Sequence, residues 1–270
     1  MGKGIIKMKF VVLSDIHGNI QALRECIKAI EKMQFDAIIW CGDYITDFSG
    51  SHEIIELIQY WSARHNSYII AGNREQNIID YANGKEFNIR YKKNLEHTYN
   101  LLTKNDIEWI KSLPESLEIE LDDNNKIYVS HKCTYENIKN CKYKIFGHSH
   151  KQYNFTRDGI KYINPGSVGI PTDESIGAQF ITLEITDKYE KIEQYLIKYN
   201  YEELLENLKK SPLYNDEIRW GNLIEREVQT GIDYPQKCIN EYNKIREEHG
   251  IREESLEIWN VAVDNTLNGE

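Results

Sequence analysis

The sequence predicts an α/β protein, α+β under some schemes, on three observations. Short apolar runs alternate with amphipathic helical stretches in the first third, β-rich runs fill the middle, and helical periodicity returns after residue 200. Lys9 to Ser14 reads KFVVLS, a continuous apolar run suited to a strand buried on both faces. A helix follows over Ile20 to Met33, where Ile20, Leu23, Ile27 and Ile30 recur at helical spacing and Asn19 stands as N-cap. The unit then repeats: Asp36 to Cys41 is a strand, Glu53 to Ala63 a helix, and Ser67 to Ala71 a third strand.

From Gly84 to Leu113 the chain turns polar and helical, with Tyr91, Leu95, Leu102 and Trp109 available to hold one or two helices onto the body until Pro114 ends them. The runs that follow are richer in β-branched and aromatic residues: Leu117 to Leu121, Lys126 to Ser130, Tyr143 to Phe146, Gln152 to Arg157, Ile160 to Asn164, Gln179 to Ile185 and Lys191 to Lys198. Asp122-Asp123-Asn124-Asn125 and Asp158-Gly159 supply hairpin turns, so the second half adds mixed or antiparallel sheet. Four amphipathic helices close the chain: Tyr201 to Lys210, Asp216 to Thr230, Pro235 to Glu248 and Glu253 to Asn265. Their stripe of Leu204, Leu205, Trp220, Ile224 and Trp259 must be buried on the body or on a second subunit, which leaves a homo-oligomer open. The expected division is residues 1–199 as a catalytic domain, with 84–113 as a helical cap-like insertion, and 200–270 as accessory helices.

Composition bounds the rest. The 270 residues carry a formal charge of -10, which argues against nonspecific nucleic-acid binding and against an anionic membrane surface. Cys26, Cys41, Cys133, Cys141 and Cys238 show no CxxC spacing and are odd in number, unlike a disulfide framework, so a reducing compartment is expected. MGKGIIKMKFVVLSD runs straight into a strand with no plausible cleavage site, and no uncharged apolar stretch reaches the roughly 20 residues a bilayer crossing requires. A cytoplasmic location is expected.

The chemistry sits where the apolar runs stop. The first strand leads into Ser14-Asp15-Ile16-His17-Gly18-Asn19, the second into Gly42-Asp43, and the third into Gly72-Asn73-Arg74-Glu75. Two later strands lead into His131 and into Gly147-His148-Ser149-His150. Loops beyond the carboxyl ends of strands are where distant segments of an α/β protein converge. Two Asp, one Asn and four His form a mixed nitrogen and oxygen set suited to Mn, Fe, Co, Ni or Zn better than to Ca or Mg. Two such ions, about 3.5–4 Å apart, can clamp a phosphoryl group for in-line attack. Gly42, Gly72 and Gly147 precede ligands where the backbone must turn and pass close, although each is equally readable as turn punctuation.

In this order DxH, GD, GN, H and GHxH resemble the calcineurin-like metallophosphoesterase superfamily over roughly Lys9 to Lys198. The chain looks most similar to its compact bacterial and archaeal phosphodiesterase-like branch, which continues from GHSH to an NPGS loop, here Asn164-Pro165-Gly166-Ser167. The resemblance implies two mixed β-sheets packed as a sandwich flanked by helices, to which this chain adds a C-terminal helical extension. It implies Asp15, His17 and His150 on one metal, Asn73, His131 and His148 on the other, and Asp43 as bridge. It further implies two divalent ions, Mn named first with Fe, Zn, Ni or Co as alternatives, a bridging hydroxide as nucleophile, and Asn19 supporting the geometry.

One departure stands out. Many phosphatases of the superfamily read GNH followed by an acid, with that histidine near the leaving group, whereas this chain has Arg74 there. Arg74 cannot donate a proton usefully but could grip phosphate oxygens as a transition-state clamp; alternatively it pairs with Glu75 or another carboxylate. Tyr91, His97, Tyr99 and Trp109 could stack on a nucleobase or serve as core, and Arg90, Lys92 and Lys93 could draw polyphosphate or form a solvated face. Ser167 could touch phosphate or merely close a turn. The expected function is hydrolysis of a phosphodiester, phosphomonoester or phosphoanhydride of a small nucleotide-like substrate. A dinucleoside polyphosphate hydrolase, a serine/threonine-type protein phosphatase and a metal-binding regulatory scaffold are the alternatives.

Overall fold

The computed structural model describes residues 7–269; residues 1–6, part of the stretch expected to be no leader, and the side chains of Ile89 and Arg90 lie outside the described residues. Strands β1 (Lys7–Leu13), β2 (Ala37–Trp40) and β3 (Ser67–Ile69) run parallel, as alternation with helices requires. β9 (Ala178–Thr186) returns antiparallel against β1, and β10 (Glu190–Ile197) pairs with β9, for the order β10-β9-β1-β2-β3. The second sheet holds β4 (Ser116–Asp122), β5 (Asn125–Ser130), β6 (Cys141–Ile145), β7 (Gln152–Arg157) and β8 (Ile160–Pro165), ordered β4-β5-β6-β8-β7. β5, β6 and β8 are parallel, and the edges β4 and β7 are antiparallel. Both sheets are therefore mixed.

The two faces of β1 explain the layering. Phe10 and Val12 point into a core shared with Ile127, Val129, Ile145 and Ile163 of the second sheet. Val11 and Leu13 point the other way, into a core with Leu23 and Ile27 of α1 (Ile20–Ile30) and Ile54 and Ile58 of α2 (Ser51–Ser62). All four side chains of this run are 0% exposed, each burial worth about 1.5–3 kcal/mol. α3 (Asn73–Ala82), α4 (Ile89–Leu101) and α5 (Lys104–Ser112) follow β3, and Leu95 and Ile110 join the helix-side core. Trp109 packs there too, with its ring 6.0 Å from that of Tyr44, so its role is core.

The chain ends in α6 (Tyr201–Lys210), α7 (Pro212–Asp216), α8 (Ile218–Thr230), α9 (Tyr234–Glu248) and α10 (Leu256–Asn268). The single helix expected over Asp216 to Thr230 is shorter, and a separate turn precedes it. Ser211 caps that turn with Pro212 at its first position, and Glu217 at φ -136 interrupts the helical path. The last helix begins at Leu256 rather than Glu253, because Ser255 provides the cap. Leu204, Trp220, Leu223, Ile224, Tyr242 and Trp259 form a third core, which reaches Phe48 and Ile170 in loops beyond β2 and β8. The C-terminal helices thus lie against the carboxyl ends of the strands. None of the five cysteines forms a disulfide, and among the described residues no helix is long and apolar enough to cross a membrane.

Candidate metal centre

The seven residues singled out at the strand ends converge at one place. Asp15, His17 and His150 offer donor atoms within 4.8 Å of one another, and Asp43, His131 and His148 do the same beside them. Asp43 Oδ2 lies 3.8 Å from His17 Nε2 of the first group and 3.2 Å from His131 Nε2 of its own, so it stands between the two. Asn73 opens α3 on the cavity above them, and its Oδ1 is buried without a hydrogen-bond partner.

Each loop is latched to the next through its backbone. The N–H of Asp15 donates to Gly42 O, those of Ile16 and His17 donate to Asp43 O, and those of Val168 and Gly169 donate to Ser14 O and Asp15 O. Asn164 Nδ2 donates to Gly147 O at 2.7 Å and holds the GHSH loop. Gly147 allows that loop to pass: a Cβ there would collide with Ser14 Oγ and Asp15 Oδ2. Asp15, His17, Asp43, Asp47, His148 and His150 all have φ between 52 and 68, in the left-handed region. Non-glycine residues there cost of order 1–3 kcal/mol each and persist where surrounding structure over-determines them. The latched backbones supply that constraint.

The imidazoles are held in one tautomer. His150 Nδ1 donates to Ile170 O at 2.8 Å and His131 Nδ1 donates to Cys41 O at 2.7 Å, which leaves Nε2 of each neutral ring as a lone-pair donor. His17 Nδ1 is likewise directed at Asp47 Oδ2, 2.8 Å away. Nε2 of His17 and Nε2 of His150 then face each other at 3.0 Å, and His131 Nε2 is buried with Asp43 Oδ2 3.2 Å away. Imidazole nitrogens and two carboxylates converging here form a socket for cations, protons among them. Burial opposes charging either His17 or His131, yet Asp15 and Asp47 at the first and Asp43 at the second overcome it, lifting the rings to about 9 and about 10. Burial also opposes ionisation of Asp15, yet His150, His17 and His131 hold its carboxyl well below the usual range. Donors that draw protons this strongly fit divalent metals, and the nitrogen and oxygen set fits the first-row ions.

Arg74 reaches the same cavity, with Nε 3.8 Å from Asp43 Oδ2, a terminal nitrogen 3.8 Å from Asp47 Oδ2, and its guanidinium 4.8 Å from the centre of the Tyr91 ring. It does not pair with Glu75. The Glu75 carboxylate instead accepts the backbone N–H groups of Gly72, Asp43 and Tyr44, each at 2.8 Å.

Three other expected site residues lie elsewhere or are already engaged. Asn19 caps α1 through Oδ1 and donates from Nδ2 to Gly169 O and Tyr199 Oη, bracing the loop from behind. Ser167 Oγ donates to Asp15 O and accepts from the N–H of Ile170 at 0% exposure, so it ties two loops together and presents nothing to a ligand. His97 lines a different cavity, bounded by Arg24, Glu53 and Asn207. Its helix turns that ring away from the side on which Tyr91 meets the metal-centre cavity.

Sequence reasoning passed over Asp47 and the C-terminal contribution. Asp47 orients His17 and is anchored by Asn94 Nδ2 at 2.7 Å; a second carboxylate four residues after Asp43 in GDYITD was the available signal. The cavity above the metal centre, about 350 Å³, is walled on its far side by Trp220, Ile224, Glu227, Ile239 and Trp259. An acid at Glu227 within the apolar stripe of α8 was the sign available there.

Comparison with known proteins bears on the family and the fold. The profile of the calcineurin-like phosphoesterase superfamily domain matches residues 8–188. An uncharacterized protein of Methanocaldococcus jannaschii is 25% identical over 234 residues, spanning 75% of this chain and 94% of its own. A metallophosphoesterase from Sphaerobacter thermophilus superposes with a TM-score of 0.63 at 16% identity, covering 83% of this chain and 99% of that one. A hypothetical protein from Pyrococcus horikoshii does so with a TM-score of 0.63 at 18% identity, covering 82% and 96%. At these identities the structural likeness establishes the fold.

Proposed function

The chain belongs to the calcineurin-like phosphoesterase superfamily, metal-dependent phosphoric ester hydrolases, and from that premise we propose that it hydrolyses a small nucleotide-like phosphoester at a two-metal centre. The single observation that carries this reading is the pair of adjoining donor groups, Asp15, His17 and His150 beside Asp43, His131 and His148, with Asp43 between them. Asn73, with its unpartnered buried Oδ1, completes the second group. Mn is the first choice of metal, and the cytoplasm the proposed location. Two bound ions would supply positive charge to polarise the phosphoryl group and acidify the attacking water.

The chain's own residues do the rest. Asp47, Ile170 O and Cys41 O orient His17, His150 and His131, so that the donors need not reorganise when ligands change. Arg74, facing the cavity from the first turn of α3, is placed to hold a phosphate oxygen and to balance the charge that develops in the transition state. Its guanidinium stays charged and donates hydrogen bonds only. The leaving group therefore departs without a proton from this position, which favours diesters and anhydrides with good leaving groups.

The test is metal content and turnover measured together. Protein reconstituted with Mn should bind two ions per chain and hydrolyse bis(p-nitrophenyl) phosphate; Asp43→Asn and His148→Ala should each lose metal and at least 10²-fold in kcat/KM. Full activity in both variants, or two bound ions with no turnover of any phosphoester, would overturn the proposal.

A further inference from the structure

The wall opposite the metal centre is built by residues that the phosphoryl chemistry does not use. Trp220, Ile224 and Glu227 fall at i, i+4 and i+7 of α8, one stripe of that helix, and all three line the cavity. Ile239 of α9 and Trp259 of α10 complete the wall, with the Trp220 and Trp259 rings 6.4 Å apart and nearly parallel. Trp220 is 9% exposed, and its Nε1–H has no hydrogen-bond partner. An unsatisfied buried donor costs of order 1–3 kcal/mol, and this one belongs to a residue that lines the cavity. Glu227 is 4% exposed in an otherwise apolar stripe, where a carboxyl gains nothing for packing. Burial holds that carboxyl well above the ordinary range, with Asp233 and Asp47 adding to the effect and His17 and Arg74 opposing it.

We propose that the C-terminal helices form the pocket for the organic part of the ester, taking a planar heterocycle against Trp220 with its polar edge at Trp220 Nε1 and Glu227. The inference rests on the two-metal phosphoesterase reading and narrows it to nucleoside phosphoesters. A heterocycle carries both a flat face for the indole and acceptors and donors along one edge; an aliphatic alcohol carries neither. A cavity of about 350 Å³ has the size of small-molecule sites, and residues of α8, α9 and α10 form one side of it. Nucleoside phosphoesters are thereby favoured over phosphorylated proteins.

The test compares three probes on Mn-reconstituted full-length protein: adenosine 5′-monophosphate, ribose 5-phosphate and methyl phosphate. Binding is read both by intrinsic tryptophan fluorescence and by competition against bis(p-nitrophenyl) phosphate. The nucleotide should bind at least tenfold more tightly than methyl phosphate and ribose 5-phosphate, and only the nucleotide should quench the fluorescence. In Trp220→Leu the ratio of nucleotide to methyl phosphate affinity should fall below threefold. Trp220→Phe, which keeps an aromatic ring in the core but loses the pyrrole half of the indole together with its Nε1–H, should give an intermediate ratio and guards against a folding defect in the leucine variant. Equal affinity for the three probes, or an unchanged ratio in a folded Trp220→Leu, overturns the pocket while leaving the phosphoesterase reading intact. If none of the probes competes and no ester is turned over, the phosphoesterase reading itself fails.

Discussion

Asp47 Oδ2 lies 2.8 Å from His17 Nδ1, and both side chains are almost completely buried. The carboxylate holds the ring so that Nε2 faces Asp15, Asp43 and His150. Asp47 is itself fixed by Asn94 of α4, so a helix outside the candidate ligand set sets the direction of a candidate ligand. Asp47→Asn should weaken metal binding by about 10- to 100-fold, the usual effect of losing a carboxylate behind a metal-bound histidine. Metal titration followed by calorimetry measures this, and an unaltered affinity would show that the contact does not matter for binding.

Glu75 joins three loops by accepting N–H groups from Gly72, Asp43 and Tyr44. Hydrogen bonds to a charged partner contribute about 1.5–3 kcal/mol each, and Glu75→Ala leaves three buried donors unsatisfied. The variant should unfold at a clearly lower temperature and lose metal, because Asp43 and Asn73 flank those same N–H groups. Thermal unfolding monitored by circular dichroism decides the matter.

Among the described residues, Arg74 is the only arginine or lysine side chain lining the cavity above the metal centre. Arg74→Ala should lower kcat by about 10²-fold, the scale of losing one transition-state donor, with little change in metal stoichiometry. Arg74→Lys should recover little, since a point charge lacks the planar fork. Unchanged steady-state kinetics in Arg74→Ala would remove the residue from the chemistry.

Glu227 makes a prediction about pH. Because burial raises its carboxyl pKa in the folded state, the folded chain binds that proton more tightly than the unfolded chain, whose value lies near ~4.3. Its stability contribution is therefore most favourable below that value and declines as pH rises through the folded-state value. Glu227→Gln should melt at a higher temperature than the parent at pH 8, with the difference vanishing by pH 4. A pH series of melting curves that run parallel would contradict the sign.

Much of this was legible because strand ends and ligand positions coincide. A continuous run such as KFVVLS marks a strand buried on both sides, and Asp15 and His17 must then emerge at its carboxyl end. The same reading reached Asp43, Asn73, His131 and the GHSH pair, and the fold brings all of them together. It misplaced His97, because a residue on an amphipathic helix points to one of several surfaces and spacing does not say which cavity lies beneath. Asn19 follows His17 by two residues and Ser167 lies in the NPGS loop, yet their polar atoms are consumed by Asp15 O, the N–H groups of Ile170 and Ala22, and Gly169 O, which only the assembled loops reveal.

Local pattern did not say where the opposite wall of the site lies. Periodicity in the last 70 residues shows that Trp220, Ile224 and Trp259 must be buried, but a hydrophobic stripe is non-directional and fits a partner as well as the chain's own body. Sequence alone determined the α/β alternation and which side chains stand at the strand ends, since these depend on local periodicity, while the two mixed sheets followed from the family resemblance. Tertiary structure decided that Asp47 orients His17, that Glu75 binds loops instead of Arg74, and that α8 faces the metal centre, because each depends on contacts between segments far apart in the chain.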